Sequence, residues 1–428
     1  MTWIMHHRTE GISASLEQRI LSFIEKNRRE LVRTCSELIQ IDSSNPPGDC
    51  SDLVRYLSSE YKQTGARFST VSADRDYLKR LGHRHPRNNF VSCIGPKRAR
   101  SNVGLAIGTH MDVVPAGSLE KWRYPPFSGT VANSKIWGRG ACDAKCSLAS
   151  QLYATKAILD SGAPLGRSLV FIGTVDDEAP GDATGPGMEF MVHEGLAKLG
   201  YGLPKFAINA EASGLQSIWG SFTGGLTLKI TLKGRVGHPP VGVNALESAT
   251  KLWNALISNE RNEAILPKPP RLVWLCGGSS SDFGLTPERA EMIFRTPITS
   301  PRVSVRSAIG EIKRVIQQER KRDPRILAQE IKVLTGAKAF EVGESNSLVR
   351  ALKSAAAKVG VKAAYGGGIV GPGDLMFFLS NGVPGVTYGA GSLERCHVPN
   401  EYVTEEELTN QAKIYALAAL TLCSPQSG

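Results

Sequence analysis

Short and almost continuous apolar segments alternate with helical segments along the first half of the chain, and this alternation restricts the fold more than any other feature. Residues 89–94, 103–109 and 168–174 predict buried strands, and residues 146–159 predict a helix. Strands that are apolar on both faces occur in sheets with helices on both sides. The pattern therefore predicts an α/β domain in which helices cover a central sheet.

The middle of the chain has a different pattern. Between residues 225 and 232, leucine or isoleucine alternates with threonine or lysine, which predicts a half-buried antiparallel strand. A long helix is predicted over 303–320, and the α/β pattern returns after about residue 336. We therefore predict one discontinuous domain, 1–216 and 337–428, interrupted by an inserted α+β domain, 217–336.

Composition limits the classes of partner. The chain has 51 lysines and arginines against 40 acidic residues, and the resulting net charge of +11 favours acidic partners. The basic residues do not form one stripe, so we expect no nucleic-acid partner. No apolar run approaches the roughly 20 residues that a membrane-spanning helix needs, so we expect no membrane association. The eight cysteines are scattered, and residues 1–10 lack the apolar core of a secretory signal, which favours reduced thiols and a cytoplasmic location.

Five short motifs place histidine or carboxylate side chains directly after predicted strands or at glycine-rich turns, where ligand sites form in α/β sheets. His, Asp and Glu are also residue types that bind metals such as zinc. Taken singly, each motif has a structural interpretation, for example a helix N-cap for Asp143 or a solvated charge for Glu211. The residues of interest are His110 and Asp112, Asp143, the run Asp176-Asp177-Glu178, Glu211, and His397.

Local chemistry distinguishes some of these motifs. His110 and Asp112 are two residues apart on a predicted strand, so they share one face, and a carboxylate beside a histidine orients its ring. Three consecutive carboxylates after an apolar strand repel one another and need cations or raised pKa values. Cys142 and Cys146 flank Asp143, but a single Cys-x-x-x-Cys is a weak zinc signature. We expect both thiols to be buried by packing.

Taken together, the motifs resemble those of the dinuclear metallohydrolase family of aminoacylase, acetylornithine deacetylase, succinyl-diaminopimelate desuccinylase and carboxypeptidase G. The resemblance covers residues 12–422, and its most specific parts are Gly108-Thr-His-Met-Asp-Val-Val-Pro, Gly138-Arg-Gly-Ala-Cys-Asp-Ala-Lys and His397-Val-Pro-Asn-Glu-Tyr-Val. The inserted domain matches at Gly237-His-Pro-Pro-Val-Gly-Val-Asn-Ala. The resemblance implies a metallopeptidase-type catalytic domain with a central mixed sheet between helices, plus an inserted α+β lid or dimerisation domain.

The resemblance also implies a metal centre. His110 and Glu211 would bind one metal, Glu178 and His397 would bind the other, and Asp143 would bridge the two. The peptide bond after Asp143 would be cis. Three carboxylates offset most of the charge of two divalent cations, so we expect two divalent ions per subunit, with zinc first and manganese or cobalt as alternatives.

Further residues receive roles from the same resemblance. Asp112 would orient the first histidine ligand, and Asp177 would act as the general base. His238 would reach the active site of a partner subunit and stabilise the oxyanion, which requires a homodimer. Asn244 and Arg295 would bind substrate. The implied reaction is hydrolysis of a C–N bond by metal-activated water, in a small acidic substrate such as an N-acyl amino acid or a small peptide.

Two departures from the family pattern leave alternatives open. The base position holds Asp177 where the family usually has Glu, and Asp176 is an alternative base. The usual Asp-x-Arg after the glycine loop has Met376 at the arginine position, and Arg295 lacks its usual acidic companion. One alternative is therefore a divergent member that hydrolyses an aromatic amine, such as a 5-nitroanthranilate aminohydrolase releasing ammonia. Another is a non-catalytic binding protein, although all the predicted ligand positions hold competent residue types.

Overall fold

The computed structural model describes residues 15–96, 101–179, 185–258, 261–278, 284–368 and 373–425. Residues 1–10, for which the sequence predicts no secretory signal, lie outside this part. The chain divides into two compact units. The first contains the described residues of 1–220, 342–368 and 372–428, and the second contains those of 221–341. The boundaries predicted from sequence, 216/217 and 336/337, lie a few residues earlier than these.

The helices follow one another along both units. In chain order they are α1 (residues 15–26), α2 (Arg28–Gln40), α3 (Ser51–Thr64), α4 (Arg75–Arg80), α5 (Lys145–Ser161), α6 (Leu196–Lys198), α7 (Ala245–Ile257), α8 (Val305–Arg322), α9 (Ser347–Lys358), α10 (Leu375–Ser380) and α11 (Glu405–Cys423). Two π-helical turns, Gly185–Glu189 and Met191–Gly195, precede α6. Among the described residues, no helix is both long and apolar enough to pass through a bilayer.

The strands form three sheets in the described part of the chain. In chain order they are β1 (Arg67–Ser72), β2 (Asn88–Ile94), β3 (Val103–His110), β4 (Thr130–Ala132), β5 (Lys135–Trp137), β6 (Ser168–Thr174), β7 (Phe206–Asn209), β8 (Ser217–Phe222), β9 (Gly224–Lys233), β10 (Arg271–Gly277), β11 (Arg289–Ile298), β12 (Leu327–Ala337), β13 (Phe340–Glu341), β14 (Ala364–Gly367), β15 (Gly385–Thr387) and β16 (Tyr402–Thr404).

The first unit is built on a mixed sheet, which confirms the predicted fold class. Its strands run in the order β1-β2-β6-β3-β7-β15-β8, and β14 pairs with β8. The central strands β6, β3, β7 and β15 are parallel neighbours, whereas β1, β2 and β8 add antiparallel edges. Every residue of β3 and β6 is buried, as their continuous apolar sequences predict. A small separate sheet pairs β16 with β5 and β5 with β4.

Helix α5 is the central helix of the first unit. It contacts α2, α11 and β3, and most of its residues are buried, so its sequence lacks a polar face. Helix α11 contacts α5, α9 and β3 in turn. Its first turn carries a capping box in which Thr404 and Glu407 each accept the other's backbone N–H. These helices hold the C-terminal part of the chain against the strands of the N-terminal part.

The second unit is an α+β structure with its own core. Its antiparallel sheet has the order β10-β11-β9-β12, and α7 and α8 pack against it. The predicted alternation in β9 is present, since Leu226, Leu228 and Ile230 are buried while the residues between them are half-buried. These leucines join residues of α7, α8 and β11 in one apolar cluster. Strand β12 was not predicted from the sequence, although it pairs with β9 along most of its length.

Candidate metal centre

Three parallel strands of the first unit end at the same edge of the sheet, and each leads into a predicted ligand. His110 is the last residue of β3 and lies level with Thr174, the last residue of β6. Glu178 follows β6 after a short turn. On the other side, β7 ends at Asn209, two residues before Glu211. The carboxyl ends of adjacent parallel strands are where α/β sheets bind ligands, and the topology alone brings these three side chains together.

A loop before α5 carries the fourth predicted ligand, Asp143. This loop follows β5, and its path is fixed by a buried ion pair in which Arg139 Nη1 lies 2.6 Å from Oε2 of Glu401. The other oxygen of Glu401 accepts the backbone N–H groups of Cys142, at 2.8 Å, and Asp143, at 3.0 Å. The Asp143–Ala144 peptide is cis, as the resemblance implies. Gly140 has φ of +87°, a conformation that a glycine adopts without strain.

The five predicted metal ligands converge into two groups that share Asp143. In the first group, Nε2 of His110 lies 2.9 Å from Oδ1 of Asp143 and 3.2 Å from Oε1 of Glu211. In the second, Nε2 of His397 lies 3.2 Å from Oδ2 of Asp143 and 2.8 Å from Oε1 of Glu178. The ligand atoms of each group lie within 4.8 Å of one another. Each oxygen of the Asp143 carboxylate thus serves a different histidine.

The electrostatics of the cluster favour positive charge at its centre. Burial alone would lower the pKa of His110, but Glu211 and Asp143 outweigh it and raise that pKa well above its ordinary value. Hydrogen bonds to Asp143 and Glu178 raise the pKa of His397 to about 10. Burial raises the pKa of Glu211 to about 8. For Asp143, burial acts in the same direction, but the two histidines outweigh it and lower the pKa. The carboxylates around the two imidazoles therefore favour a positive charge at the centre of the cluster.

The donor set fits divalent metals. Each group offers one imidazole nitrogen and two carboxylates, a combination that suits zinc, manganese or cobalt better than a soft, thiolate-preferring ion. His110 is buried and Asp143, Glu178 and Glu211 are at most 20% exposed, but the side chain of His397 is 52% exposed, so one side of the cluster is open. A cluster of this kind has room for both a metal and an exchangeable water or substrate group.

Asp112 contacts both His110 and the loop after β6. The ring of His110 is oriented by the backbone carbonyl of Asp112, which lies 2.8 Å from Nδ1, whereas the nearer carboxylate oxygen of Asp112 is 3.8 Å away. The carboxylate instead accepts the backbone N–H groups of Asp177, at 3.3 Å, and Glu178, at 3.0 Å. It also accepts the side-chain amide of Asn45 at 2.8 Å. Asp112 is therefore placed to hold the loop after β6.

The two candidate bases have different surroundings. Asp176 has no exposed surface, pairs with Arg87 at 2.6 Å and accepts the amide of Asn45 at 3.0 Å, so its oxygens are engaged away from the ligands. Asp177 is half-buried, and its electrostatic partners are His110 and Glu178. This arrangement favours Asp177 as the base over Asp176.

Asp374 is a neighbour of Asp177 that sequence reasoning missed. It is buried at the start of α10, accepts the hydroxyl of Thr174 at 3.1 Å and shares a hydrogen bond with Asp177. Burial, reinforced by the charge of Asp177, raises the pKa of Asp374 well above its ordinary value. Asp374 belongs to the motif in which Met376 replaces the usual arginine. The sequence interpretation considered the missing arginine in this motif and gave Asp374 no role.

The three predicted residues of the inserted domain belong to the second unit and are not part of the ligand groups. His238 is exposed. Asn244 caps α7, because its side-chain oxygen accepts the backbone N–H groups of Leu246 and Glu247. Arg295 is exposed on β11, and its Nε lies 3.4 Å from the hydroxyl of Thr227.

Comparison with known families identifies the class of this chain. Residues 106–421, about three quarters of the sequence, match the model of peptidase family M20/M25/M40. Relatives include the succinyl-diaminopimelate desuccinylases of Maricaulis maris, 28% identical over 54% of this chain and 58% of that protein, and of Alteromonas mediterranea, 33% identical over 42% and 47%. The chain spans about half the length of the curated relatives it matches. It belongs to peptidase family M20/M25/M40, which confirms the resemblance inferred from the motifs.

Solved structures agree on the fold. Aminopeptidase PepT from Bacillus cereus superimposes with a TM-score of 0.72 at 18% identity, covering 92% of this chain and 99% of that one. Human carnosine dipeptidase 1 superimposes with a TM-score of 0.62 at 14% identity, covering 95% and 99%. A metallo-carboxypeptidase of the M20 family from Sulfolobus solfataricus gives a TM-score of 0.67 at 18% identity, covering 92% and 99%. At these identities the likeness establishes the fold.

Proposed function

We propose that this member of peptidase family M20/M25/M40 is a hydrolase that uses two divalent metal ions to cleave the amide C–N bond of a small acidic substrate. The observation that carries the proposal is the position of Asp143, whose two oxygens lie 2.9 Å from Nε2 of His110 and 3.2 Å from Nε2 of His397. A carboxylate shared in this way suits a bridge between two cations. His110 and Glu211 would hold one ion, and Glu178 and His397 the other.

Zinc is the first expectation for both ions, and manganese or cobalt are alternatives, because all three accept imidazole and carboxylate ligands. When bound, such ions polarise a carbonyl group and lower the pKa of water. The protein supplies the remaining steps through its own residues. Asp177 takes a proton from the attacking water and delivers it to the leaving nitrogen, so that the amide becomes a carboxylate and an amine. Asp374 shares a hydrogen bond with Asp177 and so orients its carboxylate.

The substrate class follows from charge and from the relatives. The chain carries a net charge of +11, which favours anionic substrates. Arg295 and Asn244 are the proposed substrate-binding residues of the inserted domain, and His238 is the proposed oxyanion donor. Relatives are named succinyl-diaminopimelate desuccinylases, so N-succinyl and N-acetyl amino acids are the first substrates to test. Small peptides with a free carboxylate are the second.

A homodimer is part of the same proposal, because His238 would act on the active site of a second copy. Strand β10 supports it. This strand lies at the edge of the second unit's sheet, and Leu272, Val273 and Trp274 on it are exposed. An exposed apolar edge strand offers its unpaired backbone groups to a strand of another chain. We propose that a second copy of this chain covers it. The eight unpaired thiols also support a reducing compartment, and we propose the cytoplasm.

The experiment is a substrate screen on protein stripped of metal and reloaded separately with zinc, manganese or cobalt. N-succinyl and N-acetyl amino acids, dipeptides and anthranilates are assayed for released amine and for released ammonia. We expect acyl amino acids or dipeptides to be hydrolysed only by the reloaded protein. Ammonia release from 5-nitroanthranilate without amide hydrolysis would replace this proposal with the aromatic aminohydrolase alternative, which Met376 and Asp177 leave open.

A further inference from the structure

Two thiols meet directly behind the proposed metal ligands. Sγ of Cys142 lies 3.4 Å from Sγ of Cys396, although the two residues are 254 positions apart in the sequence. Each is the neighbour of a ligand in the chain, since Cys142 precedes Asp143 and Cys396 precedes His397. The contact therefore joins the two segments that carry the shared ligand and the exposed histidine.

The surroundings hold the two sulfur atoms face to face. Cys142 and Cys396 are buried and pack with Ala212, the residue after Glu211, in a small apolar cluster. Both thiols donate to the carbonyl oxygen of Ser392, at 3.5 Å and 3.3 Å. A Cβ atom at Gly391 would lie 2.2 Å from Sγ of Cys142, so the glycine makes room for this sulfur.

We propose that Cys142 and Cys396 form a peroxide-sensitive modification site, at which disulfide formation weakens metal binding by Asp143 and His397. The proposal rests on the proposed metal centre. One thiol sulfur attacks a peroxide oxygen, the O–O bond breaks, and a sulfenic acid and one water form. The second sulfur then attacks the sulfenic sulfur, the S–S bond forms, and the S–O bond breaks with loss of a second water. Two thiols are oxidised, hydrogen peroxide is reduced to two waters, and an added dithiol reverses the reaction.

The size of the movement gives the effect on the metal. A disulfide has an S–S distance of about 2.05 Å, so the sulfurs must approach by roughly 1.4 Å from their separation of 3.4 Å. Metal–ligand distances tolerate changes of only about 0.2 Å. Because each sulfur is one residue from a ligand, closure shifts Asp143 relative to His397. The oxidised thiols also stop donating to Ser392. Disturbance of the groups behind metal ligands typically costs about tenfold or more in metal affinity.

The test uses metal-loaded, full-length protein with Cys276→Ser, which removes the exposed thiol. The protein is treated with hydrogen peroxide, digested without reduction and analysed by mass spectrometry, while metal content is measured after gel filtration. We expect a peptide pair linked through Cys142 and Cys396 with the mass of two hydrogen atoms missing, two fewer titratable thiols, and metal affinity weakened by about tenfold. Dithiothreitol and fresh metal should restore the starting state.

Control variants separate this site from general oxidation. Cys396→Ser and Cys396→Ala should keep their metal through the same treatment, whereas Cys146→Ser, which alters a buried thiol four residues after Cys142, should respond like the parent. Absence of the linked peptides, or linked peptides with unchanged metal content, would overturn the proposal. A parent protein that binds no metal before treatment would contradict the proposed function, and the peptide masses would report on the disulfide independently of it.

Discussion

The carboxylate of Asp112 accepts the backbone N–H of Glu178 at 3.0 Å. Asp112 lies just after β3, and through this bond it holds the loop that follows the parallel strand β6. The other oxygen of this carboxylate accepts the N–H of Asp177 at 3.3 Å. These two bonds fix the backbone that carries both the proposed base and a proposed metal ligand. The carboxylate of Asp112 therefore acts on the loop, while its backbone carbonyl contacts Nδ1 of His110.

Replacing Asp112 should lower turnover through the position of that loop. In Asp112→Ala, two partly buried N–H groups lose their acceptor, and we expect the turnover number to fall by about tenfold to a hundredfold, as is typical for groups that support metal ligands. Asp112→Asn keeps one acceptor oxygen and should lose less. Steady-state kinetics on the substrate found in the screen, with metal content measured in parallel, checks this. An alanine variant as active as the parent would show that the loop holds its position without Asp112.

Removing the proposed base should separate chemistry from metal binding. Asp177→Asn keeps the shape of the side chain but cannot accept a proton from water, so we expect two metals per subunit and a loss of turnover of about a hundredfold or more. The measurement is metal content together with single-turnover kinetics. Full activity in this variant would move the role of base to another group.

Asp176→Asn is the matched control, because it makes the same chemical change one residue away. It removes the charge that Arg87 pairs with at 2.6 Å, and an uncompensated buried charge typically costs about 3–5 kcal/mol. We therefore expect a lower unfolding midpoint in denaturant, with activity retained by the molecules that remain folded. A stable but inactive Asp176→Asn protein would favour Asp176 as the base.

Removal of single ligands tests the pairing of the two metal groups. His110→Ala should leave the group of Asp143, Glu178 and His397 intact, and His397→Ala should leave the group of His110, Asp143 and Glu211 intact. Each variant should therefore bind one metal ion fewer per subunit than the parent, and Asp143→Ala should disturb both sites. Metal analysis after dialysis gives the stoichiometry. An unchanged metal count in His110→Ala would remove that residue from the ligand set.

The elements and residues that the sequence predicted share a local signal. Strands β3 and β6 are continuous apolar runs that a local pattern detects. His110 ends β3 and Glu178 follows β6, so the parallel topology brings both to the same edge of the sheet. Strand β9 shows its burial in a two-residue alternation. In contrast, β1 is only partly buried, and β12 is stabilised by its pairing with β9. Neither strand therefore has an apolar pattern that can be recognised from a short stretch of sequence.

Supporting residues of the site were not predictable, because their partners are distant in the chain. Glu401 meets Arg139 across 262 positions, and Asn45 meets Asp176 across 131. Arg139 and Glu401 both lie in the motifs that carry the family resemblance, but a motif does not state which of its members pair. The contact between Cys142 and Cys396 also joins residues that are far apart in the sequence, 254 positions in this case. Residue type identifies a metal ligand, whereas a supporting contact depends on the folded path of the backbone.

The start of α11 gives a prediction about acid stability. Both oxygens of Glu407 are bound, one by Arg395 at 2.6 Å and the other by Arg395 at 3.1 Å and the backbone N–H of Thr404 at 2.9 Å. Burial acts to raise the pKa of Glu407, but these hydrogen bonds outweigh it and lower the pKa. Because the folded-state pKa lies below that of the unfolded chain, Glu407 stabilises the fold above about pH 4.3. This stabilisation is lost as the pH falls through the lower, folded-state pKa.

Glu407→Gln should therefore be less stable than the parent at neutral pH, and the difference should shrink as the pH is lowered below about 4.3. The measurement is the midpoint of urea unfolding, followed by circular dichroism, across a pH series. Glu406→Gln is the matched control, since it removes the same charge from an exposed neighbour in the same helical turn. A Glu407→Gln difference that is constant with pH, or that the control reproduces, would show that the Arg395 pair does not set this stability.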